Sequence, residues 1–173
     1  LVVGWLMGSW QTRRRDFMTD IVAFHEKFGL EYNGPPRVLP TDLSNFRVLF
    51  MQEELDEYKE AEDHMSTYVR DDGHIRPLAN PIGIAMTLEK ELDALVDLTY
   101  VVLGTAYLQF GPDVFREAWR RVQVANMAKV RKLKATDGHT DSGRAATYDA
   151  VKPAGWEAPS HIDLVQEFEG RMN

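Results

Sequence analysis

Apolar residues recur at spacings of three and four along most of this chain, and no run alternates convincingly with a period of two. Phe17, Ile21, Phe24 and Phe28 set the rhythm over residues 16–29 and predict an amphipathic helix ended by Gly29. "EYNGPPRVLP" reads as a loop, because Asn-Gly and Pro-Pro both break helices. A long helix is expected over 41–69, with Thr41 or Asp42 as its N-cap. "RDDGHIRPLANP" is a polar connection. A third helix runs from about Ile82 to Phe110 and stops at Gly111-Pro112. The fourth, "DVFREAWRRVQVANMAKVRKLK", ends in a cationic turn, residues 135–159 read as a long loop, and "SHIDLVQEFEGRM" as a short capped helix. No sheet is predicted. The expected fold is all-α, a bundle of four main helices with a C-terminal loop and a short tail helix.

Two positions violate this pattern. Asp93 and Asp97 lie one turn apart inside "EKELDALVDLTYVVLGTAYLQFG", the most apolar helix of the chain. An unpartnered buried carboxylate costs several kcal/mol. At about 100° per residue, Asp93, Asp97, Tyr100 and Gly104 fall on one stripe, read as acid, acid, phenol and open space. Apolar side chains fill the other faces, so this helix is expected to be buried nearly all round. On helix two, Leu43, Phe46, Phe50 and Ala61 mark an apolar face; Glu54 and Glu57 fall in its middle and Glu53 at its border. "EELDEYKEAED" alone suits a solvated helix face, and an aspartate in an apolar helix can pair with a buried Arg. Acid pairs on the inward sides of two helices are different, because they repel and push one another toward protonation unless a cation intervenes. A hard divalent ion resolves that conflict. Mg²⁺ fits, with Mn²⁺ as an alternative, and Glu54, Glu57, Asp93 and Asp97 are the expected ligands.

The bulk numbers narrow the function. The 173 residues suffice for one domain with a core, and 44% hydrophobic with 27% charged residues is ordinary for a globular protein. The absence of cysteine excludes disulfides and thiolate metal sites and is compatible with a cytoplasmic setting. A net charge of −7 lacks the basic footprint of a duplex nucleic-acid binder, so no nucleic-acid partner is expected. A metal ion would still let an acidic chain bind a phosphorylated small molecule. "LVVGWLMGSWQTRRR" is too short to span a membrane and no membrane partner is expected; residues 1–15 read as a leader or non-native segment, with Met7 or Met18 as a natural start. The main domain is then 16–160 and the tail 161–173. Asn126 and Lys129 sit on adjacent turns near the end of helix four, followed by Arg131, Lys132 and Lys134; such cations also complement a helix dipole. "VKPAGW" adds Lys152 and Trp156 in a loop able to fold over a ligand. The histidines His25, His64, His74, His139 and His161 show no convincing zinc spacing.

"EELDE", "DALVDLTYVVLGTA", "NMAK" and "KPAGW", taken together, resemble the MazG-like all-α nucleoside triphosphate pyrophosphohydrolases, a superfamily that includes dimeric dUTPases and phosphoribosyl-ATP pyrophosphohydrolase. The likeness covers about residues 16 to 160 and is strongest to small bacteriophage-type members with a "DALxDxxYVxxGTA" signature. Members hold Mg²⁺ with an EExxE and an ExxD motif. Glu53, Glu54 and Glu57 match the first, and Asp97 closes the second. The chain departs at Ala94, where the pattern has Glu. Asp93 is the natural substitute because i−4 and i−3 share a helical face; Glu91 is the alternative.

The resemblance implies Mg²⁺-dependent cleavage between the α- and β-phosphates of a nucleoside triphosphate, giving a monophosphate and pyrophosphate. It makes Glu53 the candidate general base, and Asn126, Lys129 and Lys152 phosphate contacts. Tyr100 and Trp156 are further candidate substrate contacts. It also implies a homodimer or homotetramer, which the broad apolar faces suit. A di-iron bundle would need Glu-x-x-His on two helices, and this chain has no such pair. The remaining alternative is a non-catalytic helical adaptor that keeps the fold.

Overall fold

The structure is a computed structural model that describes residues 16–70, 72–133 and 148–167. The expected leader, Lys134, His139 and the last residues of the tail lie outside the described residues. In chain order the elements are α1 (Phe17–Lys27), α2 (Thr41–Met65), α3 (Pro81–Phe110), α4 (Pro112–Met127), β1 (Val130–Leu133), β2 (Tyr148–Val151) and α5 (Ile162–Val165). The fold is all-α with four main helices, as expected, plus one small antiparallel hairpin.

Local signals explain most boundaries. The Asp16 carboxylate caps α1 by accepting from the Thr19 N–H at 2.8 Å. Gly111, at φ +73, makes the left-handed break after α3, and Pro112 opens α4 at a position that needs no N–H donor. The N-cap of α2 differs from expectation: Pro40 occupies it, Thr41 is already helical, and no side chain caps the end. Helix α2 also stops at Met65 rather than 69. The larger correction concerns helix four, which ends at Met127; Val130–Leu133 pairs as a strand with Tyr148–Val151. Each strand has four residues, too few to print an alternation, and its partner is remote in sequence.

The chain divides into two compact units. The first comprises the described residues up to Tyr32 together with Leu39–Leu108. Its core holds Met18, Ile21 and His25 from α1, Ala61 from α2, and Ala94, Val101, Ala106 and Tyr107 from α3. The Tyr107 hydroxyl accepts from the Tyr32 N–H at 2.9 Å, and its ring packs on His25 with centroids 4.5 Å apart. Helices α2 and α3 run antiparallel: Arg47, early in α2, meets Val101 and Thr105 late in α3, whereas His64, late in α2, meets Thr87 early in α3.

Two expectations about α3 fail here. Within this chain it is not buried all round, because Ile82, Met86, Leu92, Leu95 and Val96 are exposed. Nor is Gly104 open space. It is buried, and a Cβ there would stand 3.1 Å from Arg47 Nη2 and 3.5 Å from His25 Cε1. The missing side chain is what lets the guanidinium lie against the helix.

The second unit comprises Asn33–Val38 and the described residues from Gln109 on. Arg121 binds Glu117 within α4 and Asp163 of α5, and donates to the Ser160 carbonyl at 2.8 Å. This bidentate pair holds the Asp163 carboxyl at about 2, and Arg120 with Arg121 holds Glu117 at about 2. Among the described residues no single helix is long and apolar enough to cross a membrane.

Candidate functional site

Among the described residues of the first unit, Glu54 is the one buried acid. It is 7% exposed and occupies the inward face of α2, where its helical neighbours one heptad away are Arg47 and Ala61. The antiparallel register brings this part of α2 level with the middle of α3. Burial pushes the Glu54 carboxyl above its ordinary value, and the negative charges of Glu57, Asp97, Glu53 and Asp93 push it further. These are the five acids singled out from the sequence, and the fold brings all five into one electrostatic neighbourhood. Glu53, Glu57, Asp93 and Asp97 lie along its exposed edge. Glu91 is half-buried on the other side of α3 and does not contribute to the raised Glu54.

What these acids lack is as informative. Among the described residues none of the five has a hydrogen-bonding or cationic partner. Asp56, inside the same "EELDE" run, is the contrast: it accepts from Lys59 and Gln52, each at 2.8 Å, and is held below the usual carboxylate range. The half-buried Arg47, the cation on the same face of α2, does not neutralise the group. Arg47 donates instead to Thr105 Oγ1 at 2.9 Å and the Val101 carbonyl at 2.6 Å, and desolvation lowers its pKa. Arg47 was not among the candidates; its place seven residues before Glu54 on the same apolar face is the signal that could have found it, whereas nothing in the sequence names its partners.

Among the described residues no three side chains converge as a ready metal cage. The donor chemistry nevertheless fits a hard divalent cation: oxygen ligands, uniform negative charge, no competing cation among the described residues, and a buried carboxyl that desolvation and repulsion both raise. Glu54, Glu57, Asp93 and Asp97 are the residues that could hold it.

Tyr100 faces a different feature. Its ring stands edge-on to Phe24, with centroids 5.5 Å apart, and burial followed by the Asp20 charge raises its hydroxyl pKa. It helps line an open, mainly apolar groove of about 370 Å³ between α1 and α3, with Phe17, Asp20, Leu95 and Val96.

In the second unit the hairpin assembles residues that the sequence separates. Pairing of Val130 with Val151 places Lys129 and Lys152 one step beyond the ends of the two strands, side by side. Lys152 Nζ lies 4.6 Å and Lys129 Nζ 5.7 Å from the centre of the Trp156 ring. The indole N–H donates to the Ala125 carbonyl at 2.7 Å. Asn126, by contrast, is exposed, and its carbonyl accepts from the Lys129 N–H at 3.1 Å.

Compared with known protein families, residues 21–121 match phosphoribosyl-ATP pyrophosphohydrolase, a span of more than half the 173 residues. That span contains the five acids, Arg47 and Tyr100, and ends before the hairpin. No curated protein matches the chain.

Proposed function

Because the chain belongs to the phosphoribosyl-ATP pyrophosphohydrolase family, we propose that it hydrolyses a nucleoside triphosphate between the α- and β-phosphates, releasing a nucleoside monophosphate and pyrophosphate. The observation that carries this reading is the acid group around buried Glu54, which has no hydrogen-bonding or cationic partner among the described residues. Such a group is strained alone and relieved by a divalent cation, and such an ion supplies the charge neutralisation that favours phosphoanhydride cleavage. Glu54, Glu57, Asp93 and Asp97 are assigned to Mg²⁺, with Mn²⁺ as a substitute. When bound, the ion neutralises phosphate charge and orients the displacement.

The remaining roles belong to the chain's own side chains. Glu53, exposed at the edge of the acid group, accepts the proton of the attacking water. Lys129 and Lys152 balance negative charge on the departing pyrophosphate, and Asn126 donates to phosphate oxygens. The apolar groove beside Tyr100 has the chemistry for a nucleobase. The "DALVDLTYVVLGTA" run supports a place among the bacteriophage-type members. Exposed apolar residues on α3 support a homodimer or homotetramer.

The cut position tests the reaction. Hydrolysis is run in oxygen-18 water with a panel of nucleoside triphosphates, with and without Mg²⁺, and the label is located by mass spectrometry. Label in the nucleoside monophosphate, with unlabelled pyrophosphate and dependence on Mg²⁺, is expected. Label in free orthophosphate would mean attack at the γ-phosphorus and a different enzyme. No release with any nucleotide would favour the adaptor reading.

A further inference from the structure

Lys129 and Lys152 pose a physical problem that the roles above leave unsolved. The hairpin ends set two like charges side by side, which is unfavourable. Among the described residues neither has a carboxylate partner. Both instead lie over one aromatic ring, Trp156. An indole face attracts a cation through its ring quadrupole, and more strongly when the pair is desolvated.

The ring is itself fixed from two sides. Its N–H satisfies Ala125, whose carbonyl lies in the last turn of α4, where no helical donor remains. Behind it, "PAGW" forms a tight turn: the Trp156 N–H donates to the Pro153 carbonyl at 3.1 Å, and Gly155 supplies the positive φ of +76 that this turn needs at its third position. The turn folds Trp156 back over Lys152, two residues before the alanine at its second position. The hairpin, the helix end and the turn therefore all converge on one ring carrying two ammonium groups.

We propose that Trp156 is a positioning residue that holds Lys129 and Lys152 as a preorganised pair for one pyrophosphate group. It is not itself a phosphate ligand; it removes the cost of ordering two flexible side chains when the anion arrives. With the ordering cost of two long side chains met in advance, the ring contributes about tenfold in anion affinity. The assignment rests on the polyphosphate reading of the preceding subsection, but its test does not require turnover.

The test is calorimetric titration of the full chain with inorganic pyrophosphate in EDTA, where no metal can bridge the anion to the acids. Wild type is expected to bind. Trp156→Leu weakens binding about tenfold, and Trp156→Phe, which keeps a ring but loses the indole donor, falls between. In a Lys152→Met background the Trp156→Leu loss shrinks to about threefold, because only Lys129 remains to be positioned. The KM for a triphosphate should rise in Trp156→Leu more than kcat falls. Should Trp156→Leu fail to fold, the Trp156→Phe cycle decides. No binding by wild type, or an undiminished loss in the Lys152→Met background, overturns the assignment. Coupled binding without hydrolysis of any nucleotide would leave the pair standing and remove the pyrophosphohydrolase reading instead.

Discussion

Glu54 occupies a position where an amphipathic helix ordinarily places Leu. Its carboxyl is raised above the ordinary 4.5 by burial and by the other four acids. A raised acid costs stability once the pH exceeds the unfolded value, and the cost grows until the pH passes the folded value. Metal-free Glu54→Gln should therefore melt higher than wild type at pH 7; each kcal/mol relieved moves a chain of this size by roughly 2–4 °C. The gap should close below about pH 4, where the glutamate is protonated in both states. Equal melting points at pH 7 would refute the strain. The same logic gives the metal test: Mg²⁺ should raise the wild-type melting temperature with concentration, and Asp97→Asn should lose that response. Choosing between Asp93 and Glu91 is a matter of phase. Asp93 shares the electrostatic neighbourhood of Glu54 and Glu91 does not, so Asp93→Asn should remove most activity and Glu91→Gln little; steady-state kinetics of the two variants, with the reverse ranking as the refutation, decides. At this scale the acids were legible because a charge in an apolar run is visible without coordinates. Arg47 was missed: the spacing shows its place on the face, but its choice of Val101 and Thr105 over any acid needs the fold.

Elements were legible where the pattern is long. Helices α1 and α3 appear nearly as expected, because repeated three- and four-residue spacings and the Gly111-Pro112 stop leave little freedom. The hairpin was missed for the opposite reason: four-residue strands carry almost no periodic signal, and the register that sets Lys129 beside Lys152 depends on a pairing between distant segments. Gly104 was misread because a glycine on a polar stripe looks like space for a ligand, whereas the guanidinium of a second helix fills it. This packing makes a prediction. Gly104→Val would drive a branched side chain into Arg47 and break its hydrogen bonds to Val101 and Thr105. Valine recovers little helix propensity over glycine, so the loss dominates. Hydrogen bonds from a charged group are worth about 1.5–3 kcal/mol, and a destabilisation of about 2 kcal/mol by urea denaturation is expected. A neutral result would mean that Arg47 is free to move aside.

For the whole molecule, the apolar surface left uncovered on α3 sets the outstanding question. Leu92 is 64%, Val96 54% and Leu95 46% exposed, with Met86 and Ile82 further along the same helix. The apolar residues on every face predict a helix buried nearly all round; within one chain it is not, and an assembly would cover the remainder. Apolar surface costs about 25 cal/mol for each Å² left in water, so a contiguous exposed run of this kind favours association. Sedimentation at micromolar concentration should therefore give a dimer or larger species. Met86→Glu and Leu92→Glu together, both outside the groove beside Tyr100, should dissociate it, because two unpaired carboxylates would have to be buried in the contact. Both substitutions are exposed in the single chain, so the helix content by circular dichroism should stay close to wild type while the mass falls. The charge pair is also chosen to separate association from catalysis: if the monomer retains full pyrophosphate release, the site is complete within one chain, and if activity falls with dilution of the wild type along the same curve as the mass, the contact is part of the working enzyme. A wild-type chain that sediments as a monomer across the concentration range would remove the oligomer from the proposal.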